Sequence, residues 1–200
     1  MKVNRFETED QWLDARRGKV TGTRLKDLIV KRGTGKKIGY YQLIAERLAI
    51  PSDGEDAMER GKRLEQEAID RFEKETGKKV ENGYVLWTRE DNDSIAVSPD
   101  GFIGEKEAVE IKCLGSAYHI KALLEGQVPK EFREQALQYF VVNDKLETLY
   151  FIFYDPRIIA KDFIVFVLTR EGVKEEVEQY LELEKQTLEE ISRVVNELSF

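Results

Sequence analysis

Two acids and a base fall close together in one short stretch of the chain. In SPDGFIGEKEAVEIKC (98–113), Asp100 occupies a Pro-Asp-Gly turn, and Glu110 and Lys112 stand two residues apart. If 108–113 is a strand, its period of two sends Glu110 and Lys112 to one face and Val109, Ile111 and Cys113 to the other. Asp100 lies just ahead of a hairpin, which can bring its carboxylate beside that of Glu110. Two close carboxylates repel unless a divalent cation sits between them, and oxygen-only ligation suits Mg²⁺ or Mn²⁺ rather than zinc. A neighbouring ammonium, Lys112, can orient or deprotonate an attacking water, or hold charge developing on a phosphate. A Glu-x-Lys pair taken alone is more often an exposed cross-strand ion pair, and that reading stays open here.

A third carboxylate stands out upstream. Ala57, Gly61, Ala68 and Phe72 follow helical spacing and mark a core-facing stripe, and Glu65 falls inside it. A carboxylate facing the interior needs a partner or a metal; the alternative is that Glu65 reaches the stripe's edge or pairs with a structural Arg. Gly61 inside the same helix costs about 1 kcal/mol relative to Ala, which suggests close approach by another group.

Several elements must position these residues. Thr8 and Gln11 form a capping-box pattern that starts a short helix through Trp12, Leu13 and Arg16, and a second helix follows Thr23. Residues 31–39, KRGTGKKIG, form a basic glycine-rich loop, 40–48 read as helix, and 51–54 (PSDG) break it. A long helix runs over about 55–76 and ends at Gly77. The period then changes to two: strands are expected at 80–87, 94–98 and 108–113, with turns at 90–93 and around Gly104. Pro129 opens a helix to about 142, strands follow at 148–154 and 163–168, and an apolar stripe from Val173 and Val177 to Leu198 marks a closing helix. The order describes one α/β domain over residues 1–200.

Composition narrows the chemistry. One Cys and one His exclude a disulfide framework, four-Cys metal sites and two-His sites within the chain, so metal chemistry must rest on carboxylates. The start MKVNRFETED lacks an apolar stretch and no apolar run reaches about 18 residues, so neither signal peptide nor membrane span is expected and the setting is cytoplasmic. The net charge of −7 argues at first against nucleic acid. Its distribution argues otherwise: residues 1–50 carry 12 basic and 6 acidic side chains, whereas 171–200 carry 3 and 9.

The ordered set resembles a known superfamily. Gly61-x-x-x-Glu65 on a helix, Asp100 in its Pro-Asp-Gly turn, Glu110-x-Lys112 on a strand and Gln135-x-x-x-Tyr139 on a helix are similar to the PD-(D/E)XK nucleases. Within them the chain resembles the phage lambda exonuclease and YqaJ-type viral recombinase family. The likeness runs from Trp12-x-x-x-Arg16-x-Gly18-x-x-Thr21-x-Thr23, through Arg60-Gly61-Lys62-Arg63-Leu64-Glu65 and 98–113, to Tyr154-Asp155-Pro156-Arg157.

The resemblance implies a restriction-endonuclease-like core, a central mixed β-sheet flanked by helices. It implies that Asp100, Glu110 and the main-chain carbonyl of Ile111 ligate Mg²⁺, with Mn²⁺ able to substitute. Glu65 holds a second ion or its waters, and Lys112 is the catalytic lysine. Arg16, Thr23, Ser98 and Gln135 match a pocket for a 5′-phosphate, with Arg17 and Gln138 as rivals and Tyr139 as a further candidate DNA contact. A guanidinium, hydroxyls and an amide suit phosphate on chemical grounds as well. Thr23 departs from the usual serine but keeps the hydroxyl. The implied activity is Mg²⁺-dependent 5′-to-3′ digestion of one strand of linear double-stranded DNA, leaving a 3′ single-stranded tail. The implied assembly is a ring-shaped trimer, a homo-oligomer working with a single-strand-annealing recombinase, in a host cell's cytoplasm if phage-encoded. A RecB-like or structure-specific endonuclease and a catalytically inactive DNA-end-binding module are the alternatives.

Overall fold

The structure, a computed structural model, describes residues 57–92 and 94–198, together with 7–8, 10–11, 37–38, 41–42 and 44–45. The capping pattern at Thr8 forms: its Oγ1 accepts the Gln11 N–H at 3.3 Å, and the Gln11 side chain accepts the Glu7 N–H at 3.1 Å. The remainder of the first two expected helices and most of the basic loop fall outside the described residues.

The chain divides into two compact units. One gathers Met1–Leu64, Cys113–Gln127 and Phe153–Ile164; the other gathers Glu65–Lys112, Val128–Ile152 and Val165–Phe200. Elements are numbered here in order among the described residues. Helix α1 (Ala57–Thr76) buries Leu64, Ala68, Ile69 and Phe72, one amphipathic stripe, and carries the i,i+4 pairs Gln66–Asp70 and Arg71–Glu75 at 2.8 Å on its outer face. It ends where the sequence predicts, at Gly77.

The expected strand 80–87 is largely not a strand. Glu81 makes an isolated bridge to Phe102, with both main-chain bonds at 2.9 Å, and only Trp87–Thr88 (β1) pairs, antiparallel to Ala96–Val97 (β2). The cause lies in Asn82-Gly83: Gly83 takes φ +140°, which diverts the chain from the ladder and leaves Tyr84 (109%) and Leu86 (64%) exposed. Strand β3 (Gly101–Ile103) pairs antiparallel with β4 (Glu107–Lys112), Gly101 opposite Val109, through a turn at Gly104. Gly101 is required by close approach, because a Cβ there would lie 2.4 Å from the Val80 side chain.

Helix α2 (Ser116–Glu125) has no counterpart among the expected elements; Gly115 and Gly126 flank it, and Gly126 closes it in the left-handed conformation. A short 3₁₀ turn (Lys130–Phe132) follows Pro129 and leads into α3 (Arg133–Val142), whose residues Ala136, Leu137 and Tyr139 to Val142 are all buried. A helix apolar around most of its circumference belongs inside a core. Strands β5 (Thr148–Tyr154) and β6 (Phe163–Thr169) match expectation, and α4 (Arg170–Leu198) closes the chain.

The main sheet has the order β3-β4-β5-β6. The Glu147 and Thr148 N–H groups both donate to the Lys106 carbonyl, so β4 and β5 begin side by side and run parallel. Asp155 N–H donates to Asp162 O and Arg170 N–H to Glu147 O, tying opposite ends of β5 and β6 as an antiparallel pair requires. The result is the mixed sheet flanked by helices that the sequence implies. Among the described residues no helix is long and apolar enough to cross a membrane.

Two arginines brace the end of α3. Arg170 donates to the carbonyls of Leu146 (2.7 Å), Phe140 (3.0 Å) and Asn143, and Arg89 donates to Val141 O and grips Asp144 bidentately at 2.8 and 2.9 Å. These satisfy carbonyls that a helix terminus leaves without internal partners. Arg170→Met should lower stability by about 2–3 kcal/mol, since part-buried carbonyls lose their donor. Urea unfolding should show a lower midpoint with an unchanged slope; a midpoint within error of the wild type would contradict this assignment.

Candidate active site

Glu110 sits on β4 and is 2% exposed. A buried carboxylate is tolerable only with donors around it, and three converge. Lys112 Nζ and Gln135 Nε2 each donate to Oε1 at 2.6 Å, and the Tyr139 hydroxyl donates to Oε2. Lys112 is next but one along β4, so the strand's alternation puts it on the same face. Gln135 and Tyr139 are i,i+4 on α3 and so share one helical face. The Lys112 ammonium also lies 5.6 Å from the Phe132 ring centroid, a cation–π contact that holds it in place.

Asp100 reaches the same place from the turn before β3. Its Oδ2 accepts the Ile111 N–H at 2.7 Å. The register explains this bond. Phe102 bonds outward to Glu81, so Gly101 and Val109 are the hydrogen-bonded pair between β3 and β4, and the ladder ends there, with Pro99 and Asp100 just beyond it. Proline has no N–H to give. Pro99 can therefore give the Ile111 carbonyl, which leaves the strand on the same edge as its N–H, no main-chain donor. The Ile111 N–H turns to Asp100 instead.

The charges do not balance within the cluster. Burial, then the charge of Glu110, pushes the Asp100 carboxyl up to about 7; the charge of Glu65 adds to the rise, against the Ile111 N–H and Lys112. Burial first and Glu110 second push the Tyr139 hydroxyl far above its ordinary value, which keeps it a donor. The site is thus short of positive charge. Oxygen donors only, two carboxylates acting on one another and a strand carbonyl beside them fit a hard divalent cation. Among the described residues no three Asp, Glu, His or Cys side chains gather into a metal cage. An ion here would rely on Asp100, Glu110 and the Ile111 carbonyl, with water completing its shell, as Mg²⁺ accepts.

The structure brings Asp100, Glu110, Lys112, Ile111 and Gln135 together, and Glu65, half-buried on α1, is near enough for its charge to act on Asp100. Ser98 is exposed just before Pro99. Gln138, the rival of Gln135, instead donates to Glu184 at 2.9 Å and to Ala96 O at 3.4 Å. Tyr139 is fully buried and its hydroxyl donates to Glu110, a core placement. A Cβ at Gly61 would meet no described atom within 4 Å. Arg16, Arg17 and Thr23 lie outside the described residues, as does the basic loop apart from Lys37 and Ile38. What sequence reasoning missed is that the Tyr139 hydroxyl donates to Glu110; the i,i+4 spacing of Gln135 and Tyr139 was the available signal.

Residues 11–145 match the sequence model of a family described as the YqaJ-like viral recombinase domain. The chain is similar to the crystal structure of an alkaline exonuclease (LHK-Exo) from Laribacter hongkongensis, with 27% identity, a TM-score of 0.53, and 94% of this chain and 99% of that one covered. It is similar to the same enzyme in complex with dAMP, at 27% identity, a TM-score of 0.52 and the same coverage. A phage related exonuclease from Haemophilus somnus 129PT shows 16% identity and a TM-score of 0.39 over 70% of this chain and 75% of that one. Among curated proteins no sequence matches.

Asp100 yields a pH prediction. Its folded-state carboxyl titrates near 7 against an ordinary 3.8, so the folded protein holds the proton more tightly than the unfolded chain. Its contribution to stability is therefore present at low pH and lost as pH rises from about 4 through about 7. In chelator, the melting-temperature advantage of Asp100→Asn over the wild type should grow across that window and level off above it; a difference independent of pH would refute the assignment.

Proposed function

The chain belongs to the YqaJ-like viral recombinase domain family, and on that premise we propose that it is a metal-dependent deoxyribonuclease that digests one strand of linear double-stranded DNA from a 5′-phosphorylated end. The observation that carries this reading is the Glu110 node: one buried carboxylate holds Lys112 at 2.6 Å beside Asp100, whose raised titration marks a place short of positive charge. The similar enzyme from Laribacter hongkongensis is an exonuclease solved in complex with dAMP, a nucleoside monophosphate such as stepwise release from DNA produces.

Asp100, Glu110 and the Ile111 carbonyl would hold a Mg²⁺ ion, which would supply Lewis acidity and charge neutralisation at the scissile phosphate, and Glu65 would hold a second ion or its waters. The remaining work belongs to the chain. Tyr139 and Gln135 fix Glu110 in one orientation, so its oxygens do not rotate toward competing donors. Lys112, an ammonium held against Glu110, orients an attacking water or neutralises a phosphate oxygen. Attack in line with the leaving 3′ oxygen breaks the P–O3′ bond and leaves a new 5′-phosphate, which is again a substrate. Repetition produces a 3′ single-stranded tail. Ser98 and Gln135, with Arg16 and Thr23, supply neutral and charged donors for the terminal phosphate. A ring-shaped trimer enclosing DNA and a single-strand-annealing partner complete the proposal.

The test is incubation with Mg²⁺ and linear duplexes bearing 5′-phosphate or 5′-hydroxyl, alongside covalently closed circles. Linear 5′-phosphorylated DNA should be shortened and circles left whole; cut circles would overturn the exonuclease reading in favour of an endonuclease, and no hydrolysis at all would leave a binding module. Lys112→Ala should lower the cleavage rate on the order of 10²–10⁴-fold while duplex binding measured in Ca²⁺ persists. Arg16→Ala should abolish the preference for 5′-phosphate over 5′-hydroxyl ends, and an unchanged preference would remove Arg16 from the pocket.

A further inference from the structure

Two motifs that the catalytic chemistry leaves unused, Arg60 before Gly61 and Tyr154-Asp155-Pro156-Arg157, meet at one carboxylate. Asp155 is fully buried. Arg157 grips it with two parallel bonds, Nε to Oδ1 at 2.8 Å and an NH2 bond to Oδ2 at 2.9 Å, and Ser116 Oγ, in the first turn of α2, donates to Oδ2 at 2.5 Å. Arg60 adds a single bond to Oδ1, at 3.2 Å. Burial pushes the Asp155 carboxyl up, but Arg157 and Ser116 more than reverse that and hold it below its ordinary value, so it stays charged.

Arg157 and Ser116 already satisfy this carboxylate, and Arg60 is surplus to it. An arginine has five N–H donors. Arg60 spends one, no other described residue takes the rest, and its side chain is still only 14% exposed. Two guanidiniums against one carboxylate leave one positive charge over. The nearby His119 adds none, since burial lowers its pKa and keeps the ring neutral. A half-enclosed guanidinium fork whose remaining donors no described residue takes, beside a carboxylate already gripped by a second guanidinium, suits a monoanion with several oxygens. A phosphodiester carries one negative charge, whereas a terminal phosphate carries closer to two.

We infer that Arg60, oriented by Asp155 and braced through it by Arg157, binds an internucleotide phosphate of the DNA; the identity of the ligand rests on the nuclease reading above. Asp155 is the positioning residue of this site. It holds the guanidinium plane and prevents the long side chain from collapsing onto the surface, so less conformational entropy is lost when phosphate arrives.

The experiment is the salt dependence of duplex binding, measured by fluorescence anisotropy in Ca²⁺ on the full chain, with 5′-phosphate and 5′-hydroxyl duplexes. Arg60→Gln should weaken binding about tenfold and reduce the slope of log K against log salt by about 0.9, one phosphate contact, on both duplexes. Arg60→Lys should keep the slope. An unchanged slope for Arg60→Gln would overturn the inference, and a loss confined to the 5′-phosphate duplex would overturn the internucleotide assignment. A wild-type protein that binds neither duplex would instead overturn the nuclease reading, and this inference with it. A second measurement needs no variant: duplex should protect Arg60 from phenylglyoxal, read by mass spectrometry, and equal modification with and without DNA would overturn the site.

Discussion

Glu110 is a carboxylate in the interior of a sheet, and burying such a group without partners costs several kcal/mol. Much of the surrounding structure answers that cost. Lys112 supplies the counter-charge from the same strand, and α3 must cross where Gln135 and Tyr139 can reach both oxygens. Apart from Gln138, the helix is otherwise apolar from Ala136 to Val142, so the two polar side chains that meet Glu110 are carried by an element that packing holds in place. Trp87 packs edge-on against the Tyr139 ring with centroids 6.3 Å apart, and Phe102 lies 5.6 Å from Trp87. The aromatic layer thus fixes the hydroxyl, the hydroxyl fixes the carboxylate, and the carboxylate fixes the lysine.

Placing α3 in this way has its own requirements. A helix buried along most of its length ends with carbonyls that water does not reach, and Arg89 and Arg170 bring guanidiniums to them. Arg133 and Gln138 on α3 pair with Glu176 and Glu184 on α4, so the acidic closing helix is tied to the one that serves the site. Its negative charge lies partly in these pairs, a structural use that the total of −7 conceals.

Local signals were legible where the chain satisfies itself. Helix α1 with its stop at Gly77, strands β5 and β6, and the hairpin around Gly104 follow from periodicity and turn chemistry. The misreadings have local causes as well. Residues 80–87 alternate like a strand, but Gly83 at φ +140° breaks the ladder after a single bridge at Glu81. Helix α2 is short and buries Ser116 and His119 among its inward residues, so no clean apolar stripe announces it. Tyr139 was legible as a residue of the site but not as one that works from behind Glu110, because burial depends on neighbours from other elements.

By itself the sequence determined the chemical repertoire: carboxylates rather than imidazoles or thiolates, a lysine on the face of Glu110, and an ordered motif set that names the family. These follow from residue type and from periods of 2 and 3.6, which are properties of the backbone alone. Tertiary structure decided which donors hold Glu110, that the Ile111 N–H turns to Asp100, and that motifs 95 residues apart meet at Asp155. Those outcomes depend on register and burial. Both come from long-range pairing, and no local pattern encodes which distant donor will satisfy a carboxylate once water is removed.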